Sequence, residues 1–93
     1  MLVIIKSAPD TTDGARGLTL AKEGGADLVL LQNGVYFAQK ERLGTFPGAV
    51  YMLDDDKRLR GIKDSEIDAR AKTIDYDRLT DLMTESDKVV GMF

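Results

Sequence analysis

Two short runs built almost wholly of apolar residues, Leu2–Lys6 and Asp27–Leu31, constrain this chain more than any other feature. A strand with one wet face alternates apolar and polar residues. A run without that alternation reads as a central strand covered on both faces, as parallel sheets require. The segment between the two runs has the length and caps of one helix, so the opening third is a strand–helix–strand unit. Three further strands are expected at Ala49–Leu53, after the Phe46-Pro47-Gly48 turn, at Ala71–Ile74 and at Lys88–Phe93, the last weakened by Gly91.

Helical stretches fill the gaps. Asp13–Glu23 has Thr12 or Asp13 as its N-cap, an apolar face of Ala15, Leu18 and Ala21, and a stop at Gly24-Gly25 that suits a left-handed C-terminal cap. Gly14 and Gly17 weaken it. Asn33 caps a second helix carrying Val35, Phe37, Ala38 and, further on, Leu43. Asp54-Asp55-Asp56 opens a short third helix ending at Gly61. Asp75 or Asp77 caps a fourth, with Leu79, Leu82 and Met83 at i, i+3, i+4 spacing. Ile62–Ala69 has no period and reads as a loop or single turn. The alternation predicts a three-layer α/β/α sandwich on a five-stranded, mainly parallel sheet, with residues 1–93 forming one domain. Right-handed crossovers stack helices on one face until the chain reverses direction, so four short helices leave one face of such a sheet thinly covered.

The residue inventory then removes whole classes of chemistry. The chain has no cysteine and no histidine. A disulfide, a thiolate ligand and a persulfide are therefore impossible, and the usual acid–base group near neutral pH is missing. Carboxylates, lysines, tyrosines and hydroxyls remain, with ordinary pKa values far from 7, so catalysis would need a strongly shifted group. No enzyme activity, cofactor or metal is expected of this chain. The net charge is −3 with both signs mixed along the sequence, which disfavours direct nucleic-acid binding. No apolar run approaches the roughly 20 residues that span a bilayer, and the opening Met1–Lys6 reads as a strand rather than a leader, so a cytoplasmic location is expected.

Three patterns follow one another along the chain. The first is Leu30-Leu31-Gln32-Asn33-Gly34-Val35-Tyr36, a buried strand running into a corner. The second is Val50-Tyr51-Met52-Leu53-Asp54-Asp55-Asp56, closing with Leu59-Arg60-Gly61. The third is Ile74-Asp75-Tyr76-Asp77-Arg78-Leu79, followed by an apolar end with the aromatic Phe93. Together they resemble the DsrE/DsrF/DsrH class, in its DsrH (TusB-type) branch, and the resemblance implies the α/β/α sandwich, association as dimers or hexamers, and a place in persulfide relay. In that class the sulfur goes on to tRNA wobble 2-thiouridine or to dissimilatory sulfur metabolism. It implies DsrE/DsrF (TusD/TusC)-like paralogues as partners, or self-association. The sulfur-carrying members hold a cysteine near the end of the third strand. Here that region is Leu53-Asp54, so the chain is expected to be a non-catalytic subunit. The alternative is a stand-alone homo-oligomeric module that binds a small anion.

Gln32, Asn33, Gly34, Tyr36, Leu53, Asp54 and Arg60 are the candidate strand-end or partner-interface residues. Each has a plainer explanation beside it. Asn33-Gly34 can be the turn itself, glycine for the backbone and asparagine for the cap. Tyr36 and Phe37 are adjacent and cannot both face one core stripe, so one is exposed, either as an interface anchor or as a half-buried surface aromatic. Asp54–Asp56 can hold Mg²⁺ at the strand ends, or simply sit at a helix N-terminus that favours carboxylates. Ser7–Gly17 can hold an anion, yet Asp10 and Asp13 repel one and no phosphate-binding glycine motif is present. Lys57, Arg58, Arg60 and Lys63 make a basic helix end, read either as a solvated terminus or as a docking patch.

Overall fold

A computed structural model describes residues 1–92. Five parallel strands form a single sheet: β1 (Leu2–Ile5), β2 (Asp27–Leu30), β3 (Val50–Leu53), β4 (Ala71–Ile74) and β5 (Val89–Met92), in the order β4-β3-β2-β1-β5. The strands are those expected, trimmed by a residue at several ends; Phe93 lies outside the described residues. Three α-helices accompany them: α1 (Thr12–Glu23), α2 (Asp54–Leu59) and α3 (Tyr76–Glu85). Two 3-10 segments, Gln32–Ala38 and Asp64–Glu66, complete the chain.

The chain steps outward from β1 to β4, then returns across the sheet through α3 to lay β5 on the other side of β1. That single reversal divides the layers. One face holds the larger core: Val3, Ile5, Leu28, Leu30, Val50 and Met52 pack against Ala21 of α1 and against Val35, Phe37 and Ala38. The other face holds Leu2, Ile4, Val29 and Ile74 against Leu82. α3 alone supplies the helical cover there. Met83, expected in its buried stripe, is 42% exposed, because only Leu79 and Leu82 point at the strands. No helix among the described residues is long and apolar enough to cross a membrane.

Local chemistry explains the elements and corrects several expectations. α1 starts one residue earlier than the sequence suggested. Thr11, not Thr12 or Asp13, is its N-cap, accepting the Gly14 amide at 3.1 Å while its hydroxyl donates to the Ala8 carbonyl at 2.6 Å. At the other end Gly25 takes φ 64, and the Ala26 and Gly25 amides return to the Ala21 and Lys22 carbonyls, a Schellman ending. The buried stripe of α1 is Gly14, Gly17 and Ala21, with Ala15 on the solvent side. The two glycines lower helix propensity, but they are what allow the helix to lie on β1. A Cβ on Gly17 would stand 2.8 Å from Ile5 Cγ1, and one on Gly14 would overlap the Ala8 carbonyl oxygen.

Asn33 does not cap an α-helix. The segment it was expected to open is a 3-10 helix capped by Leu31 with no side-chain bond, and Leu43 is buried but lies beyond it. α3 is capped by Asp75, whose carboxylate accepts the Arg78 amide at 2.8 Å. Ile62–Ala69 is the single turn expected, held by the Lys63 amide donating to Glu66 Oε2 at 2.8 Å.

Candidate functional site

The carboxyl ends of β2 and β3 lie side by side, and the two segments that leave them, Gln32–Ala38 and α2, meet above the sheet. Open α/β sheets present their ligands and partners at such ends. Here the contact between the two segments is a hydrogen-bonded corner. Gln32 leaves β2 with φ 49, in the left-handed region that non-glycine residues avoid. Its amide donates to Asp56 Oδ2 at 2.7 Å. The next residue, Asn33, accepts at Oδ1 from Arg60 Nε, 3.0 Å away. Arg60 Nη1 also reaches the Asp56 carbonyl at 3.3 Å and stands 3.8 Å from Asp56 Oδ1. Asp56 is 9% exposed, so its charge is met by Arg60 and the Gln32 amide rather than by water.

Gly34 forms the floor of the corner. Its amide donates to the Leu31 carbonyl at 2.8 Å, and any Cβ on it would overlap the carbonyl oxygen of Ile5 in β1. Glycine is required here for close approach, and its φ is not in the left-handed region.

The seven candidate residues therefore separate. Gln32, Asn33 and Arg60 come together, with Gly34 beneath them. Tyr36 packs against the larger core and is half-buried, and Phe37 lies inside the same core, so neither aromatic is exposed, where the sequence suggested that one would be. Leu53 is buried, and Asp54 pairs with Arg58 at 2.7 Å, away from the corner.

Asp56, seen in the sequence only as one member of an acidic triplet, proves to be the residue that ties the corner. Its partner is 24 positions away, and no local pattern announces such a bond. Leu59 was likewise not singled out as a site residue. It is 80% exposed, immediately before Arg60.

The charges of α2 are met by neighbouring side chains. Arg58 pairs with Asp54 and Asp55, Arg60 faces Asp56, and Lys57, which is buried rather than solvated, pairs with Asp64. Of the basic end read from Lys57, Arg58, Arg60 and Lys63, the first three meet carboxylates and Lys63 is exposed. The aspartate triplet is equally engaged, and among the described residues no group of three potential ligands could hold a metal ion. At the loop feeding α1, Thr11 occupies the helix N-terminus with its own hydroxyl, and Asp13 stands in the first turn.

Fold and corner together define a small α/β/α protein whose strand-end site is a hydrogen-bonded surface without a thiol. The chain belongs to the DsrH-like family: the model described as "DsrH like protein" matches residues 6–89. Solved structures share its fold, among them a protein from Thermotoga maritima and one from E. coli. Protein Tm0979 from Thermotoga maritima, a solution NMR structure, is 27% identical with a TM-score of 0.65, covering 95% of this chain and 97% of that one. The ychN protein from E. coli, a crystal structure, is 16% identical with a TM-score of 0.73, covering 97% of each chain. No curated protein matches the sequence. The chain is a sulfur-relay-type protein of the DsrE/DsrF/DsrH fold, in the branch whose members are generally non-catalytic subunits.

Proposed function

We propose that this protein is the non-catalytic subunit of a cytoplasmic persulfide-relay complex, completing an assembly with cysteine-bearing DsrE- or DsrF-like paralogues. The relay would serve tRNA wobble-uridine 2-thiolation or dissimilatory sulfur metabolism. One observation carries the reading: a member of a sulfur-relay family has Leu53 and Asp54 at the end of β3 and no thiol among its 93 residues. Sulfane sulfur must rest on a thiolate before it is handed on, so every sulfur-bearing atom belongs to another chain. What this chain contributes is surface. Gln32, Asn33 and Arg60 lie together at the strand ends, and Leu59 beside them is exposed.

The test is co-expression with cysteine-bearing DsrE- and DsrF-like proteins, followed by loading with ³⁵S-labelled persulfide. A stable mixed assembly with label only on the partners is the expected result. Label taken up and passed on by this chain alone would end the reading. So would a self-assembled protein that ignores such partners and shifts its Ser7–Gly14 amides on adding phosphate; that result would identify an anion-binding module instead.

A further inference from the structure

We infer that Asn33-Gly34 is a latent deamidation site, which the folded corner holds in an unreactive geometry through Arg60, the Leu31 carbonyl and the backbone of Ile5. The inference stands apart from the relay reading. Asn33 is the chain's only asparagine, it is exposed, and glycine follows it. Asparagine before glycine is the pair most prone to spontaneous cyclisation, because glycine puts no Cβ beside the nitrogen that attacks. In that reaction the Gly34 amide gives up its proton and bonds to Asn33 Cγ. The Cγ–Nδ2 bond breaks, and the departing nitrogen takes up a proton through water and leaves as ammonia. Water then opens the cyclic imide at one carbonyl or the other, giving aspartate or isoaspartate at that position. Water is the sole co-reactant.

Three contacts oppose that path. Gly34 is buried and its amide donates to the Leu31 carbonyl at 2.8 Å, so the nitrogen that must become the nucleophile is tied and shut off from base. Gly34 cannot swing either. A Cβ on it would overlap the Ile5 carbonyl oxygen, so turning its peptide toward the Asn33 side chain means lifting the segment off β1. Across the bond that would form, Asn33 Oδ1 accepts from Arg60 Nε at 3.0 Å, which fixes the carboxamide. Arg60 is a firm anchor: its side chain is 20% exposed, and its Nη1 reaches the Asp56 carbonyl at 3.3 Å.

The Arg60 contact has two opposed effects. A guanidinium on Oδ1 draws charge from Cγ, which speeds attack once the nitrogen has arrived. It also pins the carboxamide, and cyclisation needs the two groups to come within reacting distance. With the Gly34 amide held by Leu31, approach is the missing step, so the restraint outweighs the polarisation. Conversion then waits for a local opening of the corner. The products show what the restraint protects. Isoaspartate lengthens the main chain next to a glycine that has no room even for a Cβ, and either product puts a new carboxylate on the residue that faces Arg60.

The test is incubation of the purified chain at mildly alkaline pH and physiological temperature, with amide-to-acid conversion followed by intact mass. A single asparagine makes that readout specific, and isomerisation at Asp13-Gly14 leaves the mass unchanged. Folded wild type should convert at least about tenfold more slowly than the same chain unfolded in urea. Arg60→Ala should convert about tenfold faster than folded wild type. The comparison is made with wild type brought to the same unfolding free energy by a low concentration of urea, so that a general loss of stability is not mistaken for loss of the tether. Arg60→Met keeps the aliphatic stem without the donor, and gives the same reading if Arg60→Ala does not fold. Equal rates in folded and unfolded wild type would show that the corner gives no protection, and would overturn the inference. A folded Arg60 variant no faster than stability-matched wild type would overturn it as well, and a slower one would show that the guanidinium activates the carboxamide rather than restrains it.

Discussion

Single residues in this protein matter through contacts that sequence distance conceals, and Gly34 is the sharpest instance. Its missing Cβ is what lets the strand-end segment settle onto the Ile5 carbonyl. Gly34→Ala should therefore cost more than 3 kcal/mol, the scale of a severe overpacking of backbone against backbone, and urea unfolding followed by circular dichroism would measure it. Asp68 is the second instance. Arg70 grips it through two side-chain bonds, of 2.7 and 3.0 Å, and reaches on to the Phe46 carbonyl, tying two loops together at the start of β4. Hydrogen bonds from Arg70, first through its side chain and then its backbone, lower the Asp68 carboxyl to about 2 from the ordinary 3.8. A depressed carboxyl stabilises the fold while it is ionised. Its contribution is present above about pH 4 and fades as the pH falls toward 2. In Asp68→Asn that pH-dependent part is absent. The variant should melt below wild type at pH 6, and the gap should close as both are melted at successively lower pH. A gap that stays constant down to pH 2 would refute the assignment.

At the scale of elements, the helices are unequal. α1 and the 3-10 segment share one face with a large continuous core, whereas α3 covers the other face with Leu82 and Leu79. Leu82 is 7% exposed and packs among Leu2, Ile4, Val29 and Ile74. Leu82→Ala should cost about 2–4 kcal/mol, since a leucine cavity under a lone helix has few neighbours to collapse into it. Met83→Ala, one position on and mostly in water, should cost less than about 0.5 kcal/mol. Comparable losses for the two in denaturant unfolding would show that α3 packs by a different stripe. The i, i+3, i+4 spacing of Leu79, Leu82 and Met83 was visible in the sequence, but spacing alone does not say which part of the stripe meets the sheet, and Met83 stays 42% exposed. α1 carries the converse lesson. Its glycines look like helix defects by propensity, and the tertiary contact with Ile5 and Ala8 shows that larger residues would not fit.

For the whole molecule, the reversal between β4 and β5 decides the balance of exposed surface. Three connections crowd one face and one remains for the other, so Tyr76, Met83 and Val89 stay accessible on the α3 side while Leu59 projects from α2. A domain this small buries little apolar area and gains stability from any partner that binds only its folded form. A cysteine-bearing paralogue at a free concentration 100 times its Kd should add about 2.7 kcal/mol, seen as a higher Tm in calorimetry of the mixture. A transition unmoved by such partners would argue against a heteromeric assembly.

Much of this protein is legible in its sequence, for a definite reason. Continuous apolar runs such as Leu2–Ile5 and Leu28–Leu30 read as central strands, and the capped stretches between them as crossovers, so the alternation of elements and its sequence positions are visible in local pattern. The absence of thiol and imidazole likewise bounded the chemistry from composition alone. Local pattern does not encode which distant groups meet. That Asn33 answers to Arg60 rather than to a helix N-terminus, that Gln32 is held by Asp56, and that Gly34 lies against Ile5 depend on the ends of β1, β2 and β3 being brought together. Those contacts join residues separated by more than 20 positions, and only the assembled sheet brings them within reach.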